Sequence, residues 1–254
     1  MKTLKIMLSF FLAIMLAILT VGCGKGNNLS AFHKHKYEAE IVPPTVSEKG
    51  YTLHICECGD SYTDSEKDPT GSQGLEYMCD PIDYIVHGIG SCQDTEIYIP
   101  SYVEGNKVIR INGHAFREQN KITKVVIPET VKKIGNRAFL NCTSLTSVSI
   151  PDTVHTIDSY AFSGCTALKD IVLPSSLKEI RDRLFENCQS LAEINIPSGV
   201  RYIDIEAFAN CTNLKKITFQ GTKEQWEGIN KKNDWNKNVP ATVVHCTDGD
   251  VAIQ

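Results

Sequence analysis

One interval, 23 residues, limits what this chain can become. Phe116, Phe139, Phe162, Phe185 and Phe208 follow it. So do Pro128, Pro151, Pro174 and Pro197, and Cys142, Cys165, Cys188 and Cys211. A period of 20–29 residues with apolar positions in register marks a solenoid, in which one repeat is one coil. A single coil cannot bury its own apolar side, so each needs a neighbour above and below.

The clearest repeat runs from Leu145 to Cys165. Leu145, Val148 and Ile150 have strand-like spacing, and Pro151 ends the strand because it cannot donate to a ladder. Ala161-Phe162-x-x-Cys165 is more tightly spaced and reads as a helical turn or short strand on the opposite side. Stacked coils would align their strands at about 4.8 Å. Each buried Phe of the resulting spine would contribute on the order of 2–3 kcal/mol. The pattern resembles the BspA-type leucine-rich repeats, of the form I-P-x-x-V-x-x-I-x-x-x-A-F-x-x-C-x-x-L, over about residues 74–246. The resemblance implies a repeat solenoid, leucine-rich-repeat-like and mainly β, with short helical turns and a parallel sheet on one face. Two positions depart from the pattern. Gln119 stands in the Cys column, and Leu184 stands in the Ala column, where it is expected to bulge its coil.

Both ends of the repeat region, taken as 74–254 with its caps, are irregular. Residues 83–86 read as a strand, Gly88-Ile89-Gly90 as a turn, and residues 96–100 as the first repeat-like strand. Residues 102–111 read as a hairpin turning at Glu104-Gly105-Asn106. Beyond Gly221 the period is lost, and this end resembles the terminal cap of the same family. Residues 223–229 read as a short amphipathic helix with Trp226 and Ile229 on one face. The two tryptophans, Trp226 and Trp235, either plug the open end of the core or offer rings for a sugar to stack on.

The Cys column has two readings. Adjacent coils bring Cα atoms within disulfide range, but parallel side chains suit the bond's dihedral poorly, and buried Cys behaves as a small apolar residue. Cys79 and Cys92 flank a hairpin and are the better disulfide candidates in an exported protein.

The N-terminus reads as an export signal, residues 1–22: Lys2 and Lys5, then an apolar run from Ile6 to Leu19, then Thr20-Val21-Gly22-Cys23. The ending is similar to the lipobox of bacterial lipoproteins, which implies diacylglycerol on Cys23 and anchoring by its acyl chains. A plain secretory signal or an uncleaved anchor is the alternative. Residues 23–32 read as a tether rich in Gly, Asn and Ser. Formal net charge is −4. Removing residues 1–22 takes away two basic residues and no acidic one, so bulk attraction to nucleic acid is not expected.

Residues 33–73 form a small His/Cys segment and linker. His33, His35, His54, Cys56 and Cys58 lie among aromatics, residues 51–55 alternate as a strand, and Cys56-x-Cys58-Gly59 reads as a turn. The segment resembles a short module found ahead of repeat domains in exported bacterial proteins, although Val46 stands where that module has a cysteine. One reading is zinc held by His35, His54, Cys56 and Cys58. The other is a β-hairpin module without metal. Ligand count and spacing fall short of a strong zinc signature.

No phosphate loop, H-E-x-x-H or nucleophile elbow occurs. His87, His114, His155 and His245 share no pattern with an acid or serine. The expectation is therefore a non-enzymatic protein with no cofactor, zinc aside. Function is sought in strand positions that point outward and fail to repeat. These are Thr123, Thr146, Lys169, Ala192 and Lys215; then Lys124, Ser147, Asp170, Glu193 and Lys216; then Val126, Ser149, Val172, Asn195 and Thr218. The leading reading is an exported, lipid-anchored surface protein. Its repeat face would bind extracellular proteins or mediate adhesion. The alternative is a cell-wall or glycan-binding module using the Trp-bearing end. A metal-responsive protein using the His/Cys segment is a third reading.

Overall fold

The structure, a computed structural model, describes residues 37–42, 50–56, 61–67, 71–80 and 82–253. The export signal, Cys23, the tether, His33, His35 and Cys58 lie outside them. Among the described residues no helix is long and apolar enough to cross a membrane. The chain divides into two units, meeting between Asp68 and Pro69.

The first unit holds an antiparallel sheet of β1 (Tyr37–Val42), β2 (Gly50–Cys56) and β3 (Ser61–Lys67), with β2 in the centre. A third strand therefore joins the expected hairpin.

The second unit is a parallel β-solenoid of about seven turns. Each coil has three sides. The first face carries β6 (Glu96–Tyr98), β9 (Lys124–Val126), β11 (Ser147–Ser149), β13 (Asp170–Ile171), β15 (Glu193–Ile196) and β17 (Lys216–Phe219). Beyond the Pro corner, a second face carries β8 (Asn106–Ile111), β10 (Lys133–Ile134), β12 (Thr156–Ile157), β14 (Glu179–Ile180) and β16 (Tyr202–Ile203). Strands on both faces pair in parallel and in register, as in Ser147 beside Lys124 and Ile157 beside Ile134. The sequence reading expected one sheet. The second arises where Thr156–Ile157 pairs in register with Lys133–Ile134 and turns Ile157 into the core.

The Ala-Phe-x-x-Cys stretch forms the third side. It is a run of tight turns, with Ala161 N–H donating to Asp158 O, Ser163 N–H to Tyr160 O and Cys165 N–H to Phe162 O. Between coils, Phe116, Phe139, Phe162 and Phe185 N–H donate to Ala138, Ala161, Leu184 and Ala207 O. Inside, the Phe rings stack at 5.1, 5.4, 5.8 and 5.5 Å from Phe116 to Phe208.

The Cys column is buried thiol without disulfides. Each sulfur donates to the Phe carbonyl of the coil before: Cys142 to Phe116 at 2.9 Å, Cys165 to Phe139 and Cys188 to Phe162 at 3.2 Å, and Cys211 to Phe185 at 3.0 Å. The thiol is thus a weak donor to a carbonyl as well as a small apolar group. Burial pushes the Cys142 and Cys211 thiols up to about 12, and Cys165 and Cys188 well above the ordinary value. Cys92 is held as a buried thiol rather than bridged to Cys79.

Two backbone columns have positive φ and were not anticipated. One runs through His114, Arg137, Tyr160, Arg183 and Glu206, the other through Glu118, Asn141, Gly164, Asn187 and Asn210. They are the two corners of the third side. Asn tolerates the left-handed region because its short amide bonds locally. Here the amides also bond between coils, Asn210 Nδ2 to Asn187 Oδ1 at 3.1 Å and Asn238 Nδ2 to Asn210 Oδ1 at 2.7 Å. Gly164 takes this place in its coil at φ +73°, a left-handed conformation that costs glycine nothing. Replacing Asn210 by Ala should cost about 1–3 kcal/mol in chemical denaturation, combining lost bonds and backbone strain. Asn210→Gly should cost about 1 kcal/mol less.

At the N-terminal end, β4 (Glu76–Asp80) and β5 (Asp83–Gly88) form an antiparallel hairpin, and β5 pairs with β8. The expected hairpin at 102–111 is present as β7 (Tyr102–Val103) and β8, with Glu104 and Gly105 both at positive φ. At the C-terminal end, α1 (Lys223–Glu227) begins in a capping box of Thr222 and Gln225. Then come β18 (Asn230–Lys231), β19 (Val243–Cys246) and β20 (Gly249–Ala252), the last two antiparallel.

The coil carrying Leu184 interrupts both faces. β12 does not pair with β14, and β13 does not pair with β15, so each face consists of two separate sheets. Leu184 is fully buried in a column where Ala138, Ala161 and Ala207 are its counterparts. The third side of this coil stays bonded to both neighbours, Phe162 N–H to Leu184 O and Phe185 N–H to Ala207 O. The Phe162–Phe185 spacing, 5.8 Å, is the widest of the spine.

Candidate functional site

The first face is the broadest array of outward side chains that the sequence singled out. Ile and Val point inward at Val125, Val148, Ile171, Ile194 and Ile217, all buried. The pleat therefore turns their neighbours out. Asp170, Glu193, Lys216, Ser149, Val172 and Asn195 are exposed, and Lys124, Ser147, Val126 and Thr218 are half-buried. Val172, at 73% exposure, is the most open large apolar side chain of the unit.

Geometry divides these columns. Thr123 and Thr146 spend their hydroxyls on the carbonyls of Thr95 and Thr123, so they serve the ladder. The charged members pair sideways: Lys124 Nζ with Glu96 Oε2 at 3.6 Å and Lys216 Nζ with Glu193 Oε2 at 3.3 Å. Glu96 and Tyr98 belong to the face, although the columns read from sequence began one strand later. Tyr98 donates to Glu96 at 2.9 Å and accepts from Lys124 at 3.4 Å. That bond, with Glu96 beside it, holds the Lys124 ammonium above the usual lysine range. Exposed pairs of this kind contribute little to stability. Asp170 and Asn195 lie on opposite sides of the break between β13 and β15.

The third side carries an array that the sequence reading missed. Tyr160 lies between two guanidinium groups, with Arg137 Cζ at 4.6 Å and Arg183 Cζ at 5.5 Å from its ring centre. Arg183 also donates to the Tyr160 hydroxyl and pairs with Glu206 and Asp182. The Arg183 charge is thereby consumed between coils. The 23-residue spacing of these residues was the available signal.

The Trp-bearing end corrects the glycan alternative. Trp226 is 1% exposed and Trp235 8%. Trp235 meets the last Phe of the spine, Phe208, edge-on at 6.1 Å, and Trp226 packs on Phe219 and Trp235. Both rings fill the open core, so they leave no face for a sugar. The histidines do not converge: His87 meets Asn112, His155 meets Thr156, and His245 meets Asp250. Of the candidate zinc ligands, the described backbone places His54 and Cys56 on β2, opposite Ala39 and Tyr37 of β1. Among the described residues no three His, Cys, Asp or Glu groups cluster to hold a metal ion.

Comparison with known proteins agrees with this geometry. Residues 109–229 match a family model described as a BspA type leucine rich repeat region, in six copies. A leucine rich cell surface protein of Faecalibacterium prausnitzii A2-165 is 33% identical, with a TM-score of 0.57, over 66% of this chain and 43% of its own. A leucine-rich repeat protein of Bacteroides ovatus is 31% identical, also at 0.57, over 68% of this chain and 45% of its own. The chain thus spans less than half the length of these two structures. No curated protein matches it. With its 23-residue coils, Phe spine and Cys column, the repeat region of this chain, residues 109–229, belongs to the BspA-type leucine rich repeat family.

Proposed function

We propose that this chain is a non-enzymatic protein-binding module displayed outside the cell, anchored by lipid on Cys23, with the first face as its contact surface. One observation carries the reading: outward residues change from coil to coil on a scaffold whose inward residues do not. Solenoid faces of this kind serve as extended binding surfaces. Asp170, Glu193, Lys216 and Asn195 stand exposed there, Glu193 in register beside Lys216, which suits a polar, extended protein surface better than a small ligand. The F. prausnitzii relative is described as a cell surface protein, and the apolar stretch before Cys23 supports the same location.

The test compares capture of extracellular proteins by the full chain and by a variant carrying Asp170→Lys, Glu193→Lys and Lys216→Glu. These are exposed positions, so the variant should unfold at the same denaturant concentration as the parent. The expected result is loss of the captured partner. Equal capture by both would remove the first face from consideration. Mass analysis of the N-terminal peptide, with an acyl-bearing Cys23 expected, tests the anchor separately.

A further inference from the structure

The first junction of the solenoid is built differently from the others. Asn112 N–H donates to Val86 O as Gly135 N–H donates to Ile111 O, so Val86 holds the place of Ile111 in the coil before. Thr123 N–H donates to Thr95 O as Thr146 N–H donates to Thr123 O, so Thr95 holds the place of Thr123. Between these fixed points the first coil takes nine steps, Val86 to Thr95, where the next takes twelve, Ile111 to Thr123. Its third side is therefore three residues short. The bonds that close the later junctions are also missing. Glu118 and Asn141 N–H donate to Leu140 and Ser163 O, whereas Ser91 N–H turns back to Gly74 O. Gln119, standing in the Cys column, donates to Arg117 O of its own coil at 3.4 Å, where Cys142 reaches across to Phe116 O. Among the described residues no hydrogen bond joins residues 87–94 to residues 113–122.

The shortfall leaves a cleft of about 360 Å³ between the two coils, a volume within the range of small-ligand sites. Ile89 and the buried Cys92 and Ile122 supply its apolar lining. Gln119 and Asn120 line it with amides. Gln119 Nε2 is spent on Arg117 O, which leaves its Oε1 as an acceptor. Asn120 Oδ1 takes the Thr143 N–H and hydroxyl, which leaves its Nδ2 as a donor. The two lips differ in charge. Asp94 lies on the side of the short coil and Lys121 on the side of the next, and both are exposed. Among the described residues neither has an ionic partner, and they do not pair with each other across the cleft. The other acid of the rim, Glu118, is already paired with Arg117.

We propose that this cleft binds a short peptide with free termini, about as long as the three residues that the coil lacks. The peptide's ammonium end pairs with Asp94 and its carboxylate end with Lys121. Between them, a peptide N–H donates to Gln119 Oε1 and a peptide carbonyl accepts from Asn120 Nδ2. Small apolar side chains face Ile89, Cys92 and Ile122. An unpaired acid and an unpaired base on opposite lips suit a zwitterion, because a ligand of one sign leaves the other lip without a partner. Hydrogen bonds to charged groups are the stronger ones, so the two ends carry most of the selectivity. A neutral sugar satisfies the amides and gains nothing from either charge. The cleft lies on the third side, not on the first face, so it stands or falls independently of the surface proposed above.

The experiment is calorimetric titration of the full chain with trialanine, with N-acetyl-trialanine, with N-acetyl-trialanine amide, and with lactose. Trialanine should bind, and each capped end should weaken binding about tenfold, the effect of one lost hydrogen bond to a charged group. Asp94→Asn should weaken trialanine binding about tenfold and leave N-acetyl-trialanine unchanged, since the ammonium that Asp94 serves is already gone. Lys121→Gln should weaken both. Both positions are exposed, so these variants should melt with the parent. The first-face variant described above should bind trialanine as the parent does. Absence of trialanine binding, equal binding of the doubly capped peptide, the same loss for both peptides in Asp94→Asn, binding of lactose in place of trialanine, or loss of trialanine binding in the first-face variant would each overturn the proposal.

Discussion

Phe162→Ala is expected to destabilise the repeat domain by about 3–5 kcal/mol, the range for deleting a buried aromatic side chain. Its ring is fully buried and stacked on both faces, 5.4 Å from Phe139 and 5.8 Å from Phe185. A coil contacts only its two neighbours, so the cavity cannot be filled by any other element. The site is also next to the coil at which both strand faces part. The loss should therefore weaken the link between the two halves of the solenoid. Guanidinium denaturation should show an earlier unfolding midpoint, with the N-terminal and C-terminal halves separating into two transitions. A single transition displaced by under about 1 kcal/mol would show that the spine does not carry the stability assigned to it.

Raising the pH above 9 should destabilise the same domain steeply. The thiols of Cys142 and Cys211 ionise near 9.0 when free in an unfolded chain, and burial in the fold pushes them up to about 12. Between those values the unfolded state has released protons that the folded state retains, so unfolding becomes easier as pH rises. Each such thiol contributes about 1.4 kcal/mol per pH unit. Cys165 and Cys188 are shifted in the same direction by the same cause, burial. Below pH 9 these four groups are protonated in both states, and their pH effect vanishes. Burial also lifts the Tyr77 hydroxyl to about 12, which adds a smaller loss above pH 10. Melting temperatures at pH 8, 9 and 10 should fall progressively faster. A variant with all four cysteines replaced by alanine should show a much flatter dependence. Iodoacetamide at pH 8 should leave the four thiols unmodified until denaturant is added, because the attacking species is the thiolate.

Much of this architecture was legible because its signal repeats. Phe116 through Phe208 and Cys142 through Cys211 identify the inward columns by period alone, and every one of them is buried. The hairpin at 102–111 was legible from the Glu104-Gly105-Asn106 turn, where Gly105 takes a positive φ freely, whereas the positive φ of Glu104 was not. The second strand face was not. Thr156–Ile157 is only two residues long, and its extended backbone comes from pairing with Lys133–Ile134 rather than from local preference. The Trp-bearing cap left two readings open because a ring pattern does not say whether its face is covered. Phe208 and Phe219 cover it.

The outward side of the candidate surface was legible as positions but not as interactions. Lys124 and Glu193 were visible as members of a variable column. Their pairing with Glu96 and Lys216 follows from register between coils. Arg137, Tyr160 and Arg183 passed unnoticed because each is an ordinary polar residue when its own coil is read alone.

The sequence by itself determined the unit: its length, which residues face the core, where the strand ends at proline, and which family the repeat belongs to. A repeat period records these directly, since burial acts on each coil in the same way. The tertiary structure alone decided what happens between coils. The left-handed corners, the Arg–Tyr–Arg stack and the break beside Leu184 depend on spacings of about 5–6 Å between residues 23 apart. No pattern within one coil reports such a spacing, because both of its ends lie in different coils.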